Sequence, residues 1–278
     1  MDTPQYTILD LDLLCKQDKM LSLHESEKLF EGLVKENQKS LHDSDEAQNI
    51  SELAANKGCL TLLVWLKDNG FVFDERVCFM AALGGHLEVL QWLREHDCPW
   101  DYDTCEGAAM KGHLEVLKWV LANGCECDKN ICNYSALYGQ LEVLQWLREQ
   151  GYGWSAQTCS NAAYGGYLEV LKWLRTNGCP WNEQTCDKAA GRGHLEILQW
   201  LRENNCPWAA STCAEASRGG HLEILQWLRE NNCPWDYWTD YFARGNISAW
   251  CRENNCPKLT DACPPSYSNP FYTLGQRD

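Results

Sequence analysis

With 278 residues and a net charge of −15, the chain can bury a sizeable core, and its field repels nucleic acid. It has no run of about 18 apolar residues, and acidic residues stand near the N-terminus where a secretory leader carries basic ones. The sequence therefore reads as a cytoplasmic protein with no membrane partner. Its 17 cysteines fit a reducing compartment, where they serve as small apolar core residues, better than a disulfide framework.

Residues 1–45 carry Ile8, Leu9, Leu11, Leu13 and Leu14, then Leu29, Phe30, Leu33 and Val34, a spacing that predicts two or three amphipathic helices. They read as an N-terminal helical cap. The alternative is a small recruitment module such as a degenerate F-box, although the usual proline-bearing opening is missing. In that reading the protein is a substrate-selecting adaptor of a ubiquitin-ligase pathway.

From residue 46 to 263 a repeat takes over. Trp65, Trp92, Trp119, Trp146, Trp173, Trp200 and Trp227 recur every 27 residues. A second ladder runs Phe73, Trp100, Trp154, Trp181, Trp208 and Trp235, with Cys127 in its one gap. Cys78, Cys105, Cys132, Cys159, Cys186 and Cys213 keep the same spacing. A fixed period of this size marks about eight stacked units that bury faces against their neighbours. The tryptophans are expected in the core.

Each unit predicts two helices. In the second, as in Leu87–Glu95, polar residues three and four apart leave a narrow wet stripe. Pairs such as Asn123-Gly124 and Asn177-Gly178 end it, because both residue types tolerate the left-handed conformation. The first helix is shorter. Thr104, Thr158, Thr185, Thr212 and Thr239 stand where an N-cap is expected, and Ala108-Ala109 or Ala162-Ala163 let neighbouring helices approach. The last unit is degenerate, with Trp250 out of step and Lys258 in the place of Trp235. Three prolines mark residues 264–278 as a disordered tail.

A leucine-rich repeat needs an L-x-x-L-x-L strand that is absent, and a tetratricopeptide repeat is about 34 residues long. Gly112-His113-Leu114-Glu115-Val116, Thr104-Cys105 with Ala108-Ala109, and Asn177-Gly178-Cys179 instead resemble ankyrin repeats. The unit is shorter than the family's, so the projecting hairpin is expected to be mostly missing. The wording of Gly193–Trp208 is similar to a tryptophan-rich subclass frequent in large DNA viruses of protists, whose proteins would act in the host cytoplasm. The resemblance implies an all-α fold, an ankyrin-like α-solenoid of stacked helix–turn–helix repeats with shortened hairpin loops. It also implies a non-enzymatic, monomeric scaffold that binds a protein or peptide on its concave inner-helix face.

Nothing in the sequence points to chemistry. It has no nucleotide loop or nucleophile motif. Cys125, Cys127 and Cys132 lack the spacing of a zinc knuckle, so neither metal nor cofactor is implied. His86, His113, His194 and His221 share one repeat position with Gln140 and Tyr167, which suits a hydrogen-bonding role at a helix start. Binding residues are expected where the units differ, one, two, five and six positions past the Thr-Cys cysteine. These offsets share a helix face. Phe79, Met80, Tyr134, Tyr138, Asn161, Tyr164, Lys188, Arg192 and Arg218 are the candidates, with Tyr and Arg favoured as anchors.

Overall fold

The computed structural model describes residues 44–258. The cap or recruitment module expected before residue 44 and the tail expected after residue 263 lie outside the described residues. The described residues form sixteen helices that follow one another in pairs, and no strand. The first compact unit, up to Cys179, holds α1 (Ser44–Lys57), α2 (Leu60–Asp68), α3 (Glu75–Gly84), α4 (Leu87–Glu95), α5 (Tyr102–Lys111), α6 (Leu114–Ala122), α7 (Ile131–Leu137), α8 (Leu141–Glu149), α9 (Ala156–Gly165) and α10 (Leu168–Thr176). The second, from Pro180, holds α11 (Glu183–Gly191), α12 (Leu195–Glu203), α13 (Ala210–Gly219), α14 (Leu222–Glu230), α15 (Tyr237–Phe242) and α16 (Gly245–Glu253). The odd-numbered helices are the inner ones and the even-numbered the outer.

Within each unit the inner helices pack directly on one another, α1 on α3, α3 on α5, α5 on α7 and α7 on α9, then α11 on α13 and α13 on α15. Ala81, Ala82, Ala108, Ala109, Ala162 and Ala163 are fully buried there, and no larger side chain would permit that approach. Outer helices contribute a buried stripe, Val89, Leu90 and Leu93 in α4 and its equivalents in each repeat. The wet face is therefore wider than the sequence suggests.

Most outer helices close in the same way, with α4 and α8 ending instead on His96 and Gln150. The Asn69, Asn123, Asn177, Asn204 and Asn231 side chains donate at 2.8 Å to the carbonyl of the tryptophan four residues earlier. A left-handed residue follows, Gly70, Gly124 and Gly178 in some repeats, Asn205 and Asn232 in others. The next amide returns to the helix, as Cys206 N does to Leu201 O at 2.9 Å.

The tryptophans are not core residues. All those described are half-buried, and they link the chain edge to edge. Trp100 meets Trp119 with ring centroids 5.8 Å apart and planes at 70°, and Trp154–Trp173 and Trp208–Trp227 repeat the geometry. The Arg94 guanidinium of the preceding outer helix stacks 4.2 Å over Trp100 and donates to Cys98 O. Indoles thus join successive outer helices, and the aliphatic and alanine side chains fill the interior.

Candidate functional site

Three sets of side chains recur along the repeats, the first two joining consecutive repeats, and they explain where the expected site residues lie. The repeated threonine is not the N-cap. Asp74, Asp101, Ser155 and Asp236 cap the inner helices, each accepting from the backbone amide two residues on. The threonine stands one turn inside the helix. Thr158 Oγ1 accepts from Ser155 N and donates at 2.6 Å to Asn133 Oδ1 of the preceding inner helix. Thr212 Oγ1 likewise donates at 2.6 Å to Asp187 Oδ1. The acceptor is in each case the first variable position after the cysteine, 25 residues earlier.

Elsewhere this rung is mismatched. Thr104 faces Phe79 and Thr239 faces Ala214, neither of which has an acceptor, and both hydroxyls are buried without a partner. The converse occurs at Glu52 and Glu106, where the residue 25 positions on is Val77 or Ile131 rather than a threonine. Each carboxyl keeps a buried Oε1 with no hydrogen bond. Glu52 has Arg76 at 3.6 Å. Glu106, 7 % exposed, has no such cation within reach among the described residues. Burial pushes its carboxyl up to about 7, reinforced by Asp103, Asp128 and Asp101 and opposed by a hydrogen bond with Tyr134.

The histidine position forms a second rung. His86 Nε2 lies 3.0 Å from Asn56 O and His113 Nε2 lies 3.2 Å from Leu83 O, both on the preceding inner helix. Both stand at the start of their outer helix, but the bond runs to the preceding repeat and neither side chain caps its own helix. Gln140 Nε2 donates to Met110 O at 3.1 Å, which explains why an amide replaces imidazole there. The rings also rest on the glycines of the neighbouring repeat. A Cβ on Gly85 would meet the His113 ring at 2.6 Å, and one on Gly139 would meet Tyr167 at 2.5 Å.

The cysteines form the third set. Among the described residues fourteen are free, and all of these but Cys127 are buried. Cys59 differs from the reduced state expected, because it is disulfide-bonded. The sequence spacing of 27 concealed the relevant partner, which stands 20 residues away in the same repeat. Cys78 Sγ donates to Cys98 Sγ at 3.5 Å, and Cys98 Sγ donates to Asp74 O at 3.3 Å. Cys105–Cys125 and Cys159–Cys179 repeat the thiol–thiol hydrogen bond. Cys132 has Tyr152 where that partner would stand, and burial pushes its thiol up to about 11.

The candidate binding residues can be placed on this frame. Within the first unit, Phe79, Met80, Tyr134, Asn161 and Tyr164 are half-buried and Tyr138 is exposed, on α3, on α9, and on or just after α7. Phe79 packs on α5, where a Cβ on Gly107 would meet its ring at 3.1 Å. Asn161 is already engaged, donating to Asn133 O at 3.1 Å and accepting from Gln157. Within the second unit, Lys188 is half-buried and Arg192 and Arg218 are exposed, and Arg218 pairs with Glu215 on its own helix. The sequence offsets place Glu106 on the variable face, one position past Cys105, but it is not among the candidates. The signal was Ile131, the residue that breaks the threonine series.

Both units are built from stacked helix–turn–helix repeats on an all-α plan. The repeats are similar to ankyrin repeats over part of their length: a family model described as "Ankyrin repeats (many copies)" matches residues 52–94 and 159–202. A comparison with curated proteins returns no match. Among solved structures, the human ASB11 ankyrin repeat domain shares 16 % identity over 56 % of this chain and 84 % of its own, with a TM-score of 0.46. Ankyrin repeats generally mediate protein–protein interaction, and their fold is typically non-enzymatic. No described helix is long and apolar enough to cross a membrane.

Proposed function

We propose that the protein is a non-enzymatic binding module that holds a protein or peptide on the inner-helix face of its first unit, around α7. The observation that carries this reading is that departures from the repeat gather in one place. Cys127 stands for a tryptophan, Ile131 for the threonine, Gln140 for the histidine and Tyr152 for the second cysteine. All four fall in the repeat that presents Tyr134 and Tyr138. A regular repeat serves stacking. One that gives up its stacking residues while presenting aromatic side chains serves something else. Phe79, Met80, Asn161 and Tyr164 flank it on α3 and α9, and Lys188, Arg192 and Arg218 belong to a corresponding face of the second unit. The short unit and the indole ladders further support membership of the tryptophan-rich subclass.

Affinity purification with mass spectrometry tests the reading, on the full chain and on a variant with alanine at Tyr134, Tyr138 and Tyr164. A specific partner lost from the variant, with far-ultraviolet circular dichroism unchanged, is the expected result. A partner that survives the triple change removes the face from consideration.

A further inference from the structure

The α5–α7 junction holds a carboxyl group one of whose oxygens the repeat itself leaves unsatisfied. At Asn133 and Asp187 the same position is served by a threonine hydroxyl from the next inner helix at 2.6 Å. Ile131 withholds that donor from Glu106, so Oε1 stays buried and unpartnered. Buried polar groups are hydrogen-bonded almost without exception, and one that is not requires an explanation. Stacking does not supply it, because a threonine fits the equivalent place in several repeats of this chain. The groups bearing on the Glu106 carboxyl are Asp101 and Asp103 on its own side, and Asp128 and Tyr134 on the side of α7. Three of these four are acidic, and none is a cation.

We infer that the junction between α5 and α7 takes a basic side chain, arginine or lysine, from the protein partner, pairing it with the Glu106 carboxylate beside Tyr134. The inference rests on the proposed binding face and names the chemistry that the face selects. The incoming cation supplies the donor that Ile131 does not, and it neutralises the carboxylates gathered there. Tyr134, hydrogen-bonded to Glu106, offers a ring beside the cation. A chain with net charge −15 also attracts basic segments on approach.

Selection of random peptides displayed on phage against the immobilised full-length chain tests this, followed by fluorescence anisotropy with the selected peptide. The selected peptides are expected to share an arginine or lysine at one position. Replacing that residue by alanine, or making Glu106→Gln, should each weaken binding about tenfold or more, with little further loss when combined. Affinity for the unmodified chain should fall as pH drops through about 7 and the carboxyl is protonated, and Glu106→Gln should flatten that profile. Ile131→Thr gives Glu106 an internal donor without touching the acid, and it too should weaken binding. Peptides that lack a basic residue, or that bind Glu106→Gln as tightly as the unmodified chain, overturn the inference. Alanine at Tyr134, Tyr138 and Tyr164 separates the two readings. If it abolishes binding while Glu106→Gln does not, only the basic-anchor inference fails. If the selected peptides ignore it, the binding face itself is wrong.

Discussion

The junction between α7 and α9 and the one between α5 and α7 are built on one plan and finished differently. In the first, Thr158 and Asn133 meet as donor and acceptor. In the second, Ile131 and Glu106 share the equivalent positions, and one oxygen of the acid is left without a donor. The backbone and the small residues persist in both, and the side chain at the His/Gln position, Gln140 or Tyr167, leans on the preceding repeat in each. A repeat protein can therefore keep its stack while one rung is withdrawn, and the withdrawn rung becomes available to a partner.

Thr→Val substitutions sharpen that contrast, because their sign should depend on the junction. The largest effect is expected at Thr212→Val, which takes a donor from the Asp187 carboxylate and should cost about 2–3 kcal/mol in urea unfolding. Thr158→Val removes a donor from a neutral amide and should cost about 1–2 kcal/mol. At Thr239→Val and Thr104→Val the hydroxyl already lacks a partner, so stability should hold or rise by up to about 1 kcal/mol. Equal losses at all four sites would show that the Thr-to-acceptor rung has no energetic weight. Ala214→Asn, which offers Thr239 an acceptor, should gain about 0.5–1 kcal/mol.

The unsatisfied acid also predicts a pH dependence. The Glu106 carboxyl sits at about 7 in the fold against an ordinary value of 4.5. The folded chain therefore holds this proton more tightly than the unfolded chain does. Its contribution to stability is full below about pH 4.5 and is lost as pH rises through about 7. Unfolding curves of the unmodified chain and of Glu106→Gln should converge at low pH and separate at neutral pH, with the glutamine variant the more stable. Curves that stay parallel across that window would mean that Glu106 is already satisfied.

Much of the architecture was legible in the sequence, because the determinants of helix pairing are local. The period, the Asn-Gly helix ends and the alanine pairs at close approach all follow from spacing and conformational preference. What spacing concealed is which repeat a side chain reaches. Thr104 and Thr158 look like caps until Asp101 and Ser155 take that place. The tryptophans look like core until the leucine and alanine side chains fill the interior without them. The thiol partners stand 20 residues apart, inside a repeat whose obvious period is 27. The candidate face was legible through Tyr134 and Tyr138, which interrupt a monotonous series. Glu106 was not, because its meaning lies in a missing hydroxyl on another helix.

The paired indoles give the folded chain an optical signature. Rings 5.6–5.9 Å apart and steeply inclined, as in Trp154–Trp173, Trp181–Trp200 and Trp208–Trp227, couple their electronic transitions. The resulting dichroism overlaps the region where helices are usually quantified, and an α-helix content read from it will be distorted. The same signal depends on the loop-borne indole lying against the outer-helix indole of its own repeat. It should fade when a repeat loosens its loop while both of its helices remain intact, so it monitors the seams of the molecule separately from its helices.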